Sequence, residues 1–153
     1  MSSNHPVPAE WAARAYVDAA GYAEKYRRSI EEPEAFWREE TARLDWIKPW
    51  TRLSRCSYDE ADFGIEWFSD GMVNTCWNAV DRHVLAGRGD QVAIMHESPI
   101  TLSTKGITYK QLQARVASLA GALRMRGVEK GDRVIIYMPM IPEAIEAMLA
   151  CAR

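Results

Sequence analysis

The sequence predicts an α/β fold preceded by a helical N-terminal cap, and three observations carry that prediction. From about residue 71, strand-like apolar runs alternate with apolar stripes of helical period. The run Arg133-Val-Ile-Ile-Tyr-Met138 has four consecutive apolar residues, β-branched at their centre, as a strand covered on both faces would. A helix-length stretch separates it from an earlier strand-like run, Gln91–Glu97, and crossovers of that length join parallel strands with right-handed connectivity. Residues 1–70 are rich in tryptophan and poor in regular period and are read as the cap; residues 71–153 are read as the first βαβα elements of a larger domain.

The elements follow in order. Pro8 precedes the alanine-rich stretch Ala9–Ala20, a helix that Gly21 can stop. A second short helix covers Tyr22–Ile30. Pro33 opens a third over Glu34–Arg43, with acidic residues at its positive end, Arg43 near its negative end, and Trp37 and Leu44 two turns apart on one face. Pro49 stops any continuation. Trp46, Trp50, Phe63, Trp67 and Phe68 lie among turn-forming residues, an aromatic-pinned layer with short strands at most. Gly71–Asn74 reads as a turn. Asn74 or Thr75 then caps a helix to about Leu85, with Cys76, Val80 and Val84 on one stripe.

Gln91–Glu97 reads as a buried strand and Ser98–Gly106 as a loop. Thr108 and Gln111 form a capping box for a helix whose stripe is Leu112, Val116, Leu119 and Leu123. Gly127 closes it at C′, with Val128 packing behind. Gly131-Asp132 turns the chain into the strand at 133–138. Pro142 then starts a last helix at N1, with Ile145, Met148, Leu149 and Ala152 as its buried stripe. That stripe runs to the final residues without a closing Gly, Asn or Pro. The expectation is that a further strand follows and that the chain is a fragment of a longer one.

Composition excludes several classes. The 153 residues carry 19 Lys+Arg against 21 Asp+Glu, a formal charge of −2, which suits neither a strongly basic nucleic-acid domain nor an acidic disordered tail. Cys56, Cys76 and Cys151 are odd in number and widely spaced. They predict no disulfide framework or zinc site and fit a reducing compartment. The start, Met1-Ser-Ser-Asn-His-Pro-Val-Pro8, has no basic or apolar leader region. The most apolar stretch, Val134–Ile141, contains Pro139 and falls far short of the ~20 residues that span a bilayer. A cytoplasmic protein with no nucleic-acid or membrane partner is expected.

The residues that carry chemistry offer little. Ser103-Thr-Lys-Gly106 has the residue types of a phosphate loop in the wrong order, and Gly87-Arg-Gly89 lacks the third glycine and precedes a strand. The histidines, His5, His83 and His96, have no metal spacing. His83 and Asp81 are two apart on a helix and so do not face each other, and His83 and His96 are read as structural. Cys76 and Cys151, on apolar stripes, read as small core residues. Arg27-Arg28 reads as a solvated doublet. Six tryptophans without a basic groove point to packing, not to base stacking.

Several stretches in order resemble one family. Tyr26-Arg-Arg-Ser-Ile30 and Pro33-Glu-Ala-Phe-Trp37 are similar to the start of the short-chain acyl-CoA synthetases. Leu44-Asp-Trp-Ile-Lys-Pro-Trp50 resembles their AMP-forming, acetate-activating branch. Trp67-Phe-Ser-Asp-Gly71, Asn78-Ala-Val-Asp-Arg-His83, Ile107–Leu112, Lys130-Gly-Asp-Arg133, Ile136–Glu143 and Met148-Leu-Ala-Cys-Ala-Arg153 continue the match over nearly the whole chain.

The resemblance implies an adenylate-forming ligase with a large N-terminal and a small mobile C-terminal domain. It implies a two-step reaction: acetate attacks the α-phosphate of ATP with Mg²⁺, and the thiol of coenzyme A then displaces AMP. Positioning and charge neutralisation carry most of the first step. The family's phosphate loop, carboxylate pocket, nucleotide contacts and catalytic lysine all lie downstream of Arg153. No catalytic, cofactor-binding or metal residue is therefore assigned within residues 1–153, and the chain alone is expected to be inactive. Two alternatives stay open: a propionyl-CoA or other short-chain acyl-CoA synthetase, and a non-catalytic interaction module that self-associates or docks through its last helix.

Overall fold

A computed structural model describes residues 5–153; the first four residues, part of the stretch read as leaderless, lie outside it. In chain order the helices are α1 (Ala9–Ala12), α2 (Ala19–Glu31), α3 (Pro33–Thr41), α4 (Tyr109–Met125) and α5 (Pro142–Ala152). The strands are β1 (Trp46–Lys48), β2 (Ser54–Ser57), β3 (Gly64–Trp67), β4 (Met72–Val73), β5 (Val92–Ser98) and β6 (Ser103–Thr108), and two π turns cover Trp77–Asp81 and Val84–Arg88. The chain falls into two compact units. One holds the residues up to Leu44 with Arg52–Ser69; the other holds Asp45–Thr51 with Asp70–Arg153.

In the first unit the expected helix over 9–20 stops at Ala12, and Gly21 ends nothing. Asp18 accepts the Gly21 backbone N–H at 2.7 Å and so caps a new helix, α2, that runs through Gly21 to Glu31. The helix expected over Tyr22–Ile30 lies inside it. α3 starts with Pro33 at N1, as expected, but ends at Thr41. The buried Thr41 hydroxyl donates to the Trp37 carbonyl at 2.6 Å, and Leu44 lies beyond the helix, exposed. Lys25 pairs with Glu40 and Arg28 with Glu39, tying α2 to α3. Phe36 is buried, and Trp37 meets Trp67 edge-on at 6.1 Å. β2 and β3 form an antiparallel hairpin in the register Ser54↔Trp67 to Ser57↔Gly64.

The second unit contains the larger core: Cys76, Val80, Ile107, Leu112, Val116 and Ala150, with Ile94, Leu119 and Leu149 packed around them. Met72–Val73, read as part of a turn, pairs antiparallel with Trp46–Lys48. A helix follows Asn74 as expected, because the Asn74 side chain accepts the Trp77 N–H at 2.8 Å, but two π turns make up most of it, and of the expected stripe Cys76 and Val80 are buried while Val84 is only half-buried. α4 also matches its sequence signals. The capping box closes in both directions (3.0 and 3.3 Å), and Leu112 and Val116 are buried. Gly127, at φ +88°, donates to the Arg124 carbonyl and Val128 to that of Leu123, the paired bonds of a Schellman cap.

Four expectations in this unit fail. Ser98–Gly106 is not all loop, since Ser103–Thr108 is a strand paired antiparallel with β5. Its polar run Ser-Thr-Lys-Gly hides it, because one face of an antiparallel hairpin can face water. For the same reason β5 is not fully buried: Val92 and Met95 are exposed. No strand forms at 133–138 among the described residues, and β5 has no parallel neighbour there. Ile135 and Tyr137 are exposed and Ile136 is half-buried, so this run is not covered on both faces. α5, finally, buries a face shifted from the one expected. Leu149 packs on the core as read, but the buried residues are Glu146, Ala147 and Ala150, while Ile145 and Met148 are exposed and Ala152 lies outside the core. The small alanines let α5 approach α4 closely, and Arg115 on α4 reaches Glu146 at 3.0 Å, so the pair selects the face.

Candidate functional site

The most developed polar cluster of the second unit forms around Asp81. In a π turn the backbone bonds run from i to i+5, so residues five apart become neighbours. The turn Trp77–Asp81 thus swings Asp81 onto the buried side of the helix, where its Oδ2 lies 3.8 Å from the Cys76 Sγ. Arg153 closes the cluster with a fork: Nη1 donates to Oδ2 at 2.7 Å and Nη2 to Oδ1 at 3.0 Å. Gln113 on α4 donates a further bond to Oδ1 at 2.7 Å, and Arg153 Nη1 also lies 3.4 Å from the Cys76 sulfur.

The electrostatics follow from the geometry. Burial pushes the Asp81 pKa up, but the bonds from Arg153 and Gln113 outweigh it and hold the carboxyl below its usual 3.8. Burial pushes the Cys76 thiol up, with Asp81 adding to the effect and Arg153 opposing it. A fully paired carboxylate beside a protonated thiol is neither a base nor a nucleophile. The cluster is a pin that joins the end of α5 to the π-turn helix and to α4.

A second group surrounds His83. Its Nδ1 lies 3.1 Å from Arg88 Nη1, its ring is 5.2 Å from that of Tyr109, and the Arg88 guanidinium stands over the same Tyr109 ring. Burial, then Arg88 and Arg82, lower the His83 pKa below 6.5, which keeps the imidazole neutral and accepting from Arg88. A third feature is an open depression of about 320 Å³ lined by Asp45, Trp46, Ile47, Asn74 and Trp77. Asp45 is already engaged there, by Trp77 Nε1 at 3.0 Å and Arg82 at 3.5 Å.

The residues weighed from sequence are scattered. His96 lies on β5 opposite Lys105, and Ser103–Gly106 is strand rather than phosphate loop. Gly87, at φ +80°, belongs to the end of the second π turn. Arg27 pairs with Glu24 and Glu31 and Arg28 with Glu39, so the doublet is ion-paired. Cys76 is buried as expected, but Cys151 is exposed, because α5 turns that position outward. Among the described residues no three His, Cys, Asp or Glu side chains converge on a point that could hold a metal. The Asp81–Arg153 pair was not anticipated. Asp81 lies inside the motif stretch Asn78–His83 and Arg153 ends the stretch Met148–Arg153, and that was the available signal.

Comparison with known proteins places this framework. Residues 81–153 match the family described as AMP-binding enzyme, and residues 22–79 match the acetyl-coenzyme A synthetase N-terminus. Between them the two matches span residues 22–153, so the second part of the chain is similar to the AMP-binding enzymes and the first part to the start of acetyl-coenzyme A synthetases. Several curated relatives carry the name acetyl-coenzyme A synthetase. The chain is 53% identical over 149 residues to the acetyl-coenzyme A synthetase of Beijerinckia indica and 54% over 151 residues to that of Novosphingobium aromaticivorans. It is 48% identical over 152 residues to acetyl-coenzyme A synthetase 1 of Pseudomonas aeruginosa. Each match takes in 97–99% of this chain, but the chain spans only 23% of each relative's length. Among solved structures it is similar to acetoacetyl-CoA synthetase from Streptomyces lividans, with a TM-score of 0.74 and 33% identity over 93% of this chain and 22% of that one. Its fold is therefore that of the corresponding region of an adenylate-forming ligase.

Proposed function

We propose that this chain is the N-terminal part of an AMP-forming acetate–CoA ligase, in which residues 1–70 form the cap and residues 71–153 begin the adenylation domain. The observation that carries the reading is identity of about half over essentially the whole chain to proteins named acetyl-coenzyme A synthetase. The complete ligase converts acetate, ATP and coenzyme A to acetyl-CoA, AMP and pyrophosphate, with Mg²⁺ on the phosphates, in the cytoplasm. No helix among the described residues is long and apolar enough to cross a membrane, in keeping with that location.

In this reading the chain supplies scaffold and no reacting group. Asp81, Arg153 and Gln113 hold the end of α5, the point from which the chain leads on to the family's phosphate loop. The test is acetate-dependent ATP–pyrophosphate exchange. A chimera that continues from Arg153 with the remainder of the Beijerinckia indica synthetase exchanges, and the 153-residue chain does not. Exchange by the short chain above a blank, or a folded chimera that prefers propionate over acetate, contradicts the reading. A second reading, a non-catalytic module docking through α5, draws on the exposed Ile145 and Met148. Light scattering that finds a concentration-dependent dimer, lost in Met148→Glu, would favour it.

A further inference from the structure

The β2–β3 hairpin presents its faces the wrong way round for a sheet that meets water. Side chains alternate between faces along each strand, so the register places Cys56 opposite Ile65 and Ser54 opposite Trp67 on one face. Tyr58 and Phe63 extend that parity past the strand ends, with their rings 6.1 Å apart. The other face carries Arg55 and Glu66, and Arg55 also pairs with Asp62. A half-covered antiparallel sheet normally turns its apolar face inward and its charges outward. Here the charged face is half-buried, while Tyr58 is 78%, Phe63 70%, Ile65 54% and Trp67 53% exposed. A one-residue slip would reverse the faces, but four consecutive pairs hold the register.

We infer that this apolar face is the seat of a segment of the same polypeptide lying beyond Arg153 in the longer ligase, and that Cys56 is buried beneath it. The inference rests on the reading of the chain as part of that ligase. The four large side chains expose on the order of 500 Å² of apolar surface, taking ~150–250 Å² for each aromatic ring system. A standard stable interface buries about 800 Å² per partner, so a second copy would be held weakly on this patch. A tethered segment needs less, because the linker supplies an effective concentration of roughly millimolar order. The source of such a segment is at hand, since the chain spans only 23% of the relatives' length. Asp59 and Glu60, exposed at the hairpin tip beside Tyr58, specify the flank of the occupant: an apolar stretch bordered by Lys or Arg.

Cys56 is the reporter. In a Cys151→Ser background of the 153-residue chain the only other thiol is Cys76, which is buried, and in the chimera labelling is read on the peptide that contains Cys56 by mass spectrometry. Maleimide labelling of Cys56 is compared in the 153-residue chain and in the chimera described above. The expected result is labelling at least about tenfold slower in the chimera, the signature of a closed state favoured by one decade or more. Ile65→Asp in the chimera restores the fast rate. Since Ile65 is exposed in the short chain, circular dichroism of the short Ile65→Asp chain checks that the substitution leaves the fold intact. Equal labelling rates in an actively exchanging chimera overturn the inference and leave the ligase reading standing. Protection of Cys56 in a folded chimera that does not exchange supports the inference and counts against the ligase reading. Protection that appears in the short chain as its concentration rises assigns the face to a second copy and overturns the tethered occupant.

Discussion

Replacing Arg153 by Met keeps an apolar stem of similar reach and removes the fork on Asp81. The Asp81 carboxylate, 6% exposed, then keeps only Gln113 as a strong donor. Breaking a buried ion pair from one side costs about 3–5 kcal/mol. The Arg153 side chain is 31% exposed, so water reaches part of the vacated site, and the expected cost falls to about 2–3 kcal/mol. With a urea m-value of ~2 kcal/mol/M, the midpoint of the second unit drops by about 1–1.5 M. Cys76 offers a local readout, because its buried thiol labels only when this region opens, and labelling should quicken by roughly 30- to 150-fold. Asp81→Asn and the double variant complete a thermodynamic cycle with an expected coupling of more than about 1 kcal/mol.

The pH dependence gives the sign. The folded pKa of Asp81 is depressed, so the pair's contribution is fully present above the unfolded value of 3.8 and disappears as pH falls through the lower folded value. Wild type and Arg153→Met therefore converge in acid. A midpoint that stays within ~0.2 M of wild type at neutral pH, or single-variant effects that add within ~0.5 kcal/mol, would refute the pin.

Other outcomes are equally specific. Thr108→Ala opens the capping box and should cost about 1 kcal/mol in urea unfolding, with Thr108→Ser recovering most of it. Gly127→Ala should cost about 1 kcal/mol through backbone strain alone, since φ is +88° and nothing crowds the added methyl. Ala150→Leu should destabilise by roughly 1–3 kcal/mol by forcing α5 away from α4, whereas Met148→Gln on the exposed face should stay within ~0.5 kcal/mol. His83 has a depressed folded pKa, so stability should decrease as pH falls below its unfolded value of 6.5 and level off below the folded one. In His83→Gln that slope should be missing from a urea titration between pH 7 and 5.

The legible parts of the fold share one property: their partners are close in sequence. The Thr108–Gln111 box, the Asn74 cap, the Leu112–Val116 stripe and the Gly127–Val128 closure each join residues a few positions apart, and all formed as read. The illegible parts join residues far apart or depend on a neighbour's shape. The Asp81–Arg153 fork spans 72 positions, and it also needs a π turn that no residue pattern announced. β6 was hidden by its polar outer residues and became a strand only by pairing with β5. The functional reading was legible for another reason, since motifs in a fixed order along the chain pointed to one family.

By itself, then, the sequence determined the helix limits that caps and prolines set, the mixed helix-and-strand class, and the kinship with acetate-activating ligases. Tertiary structure alone decided which faces are covered. α5 turned its alanines and Glu146 to α4 and left Ile145 and Met148 outside, and the β2–β3 hairpin left its aromatic face open. The physical reason is that a cap is satisfied by atoms within one turn, whereas the buried face of a helix or hairpin is chosen by the shape and charge of whatever packs against it.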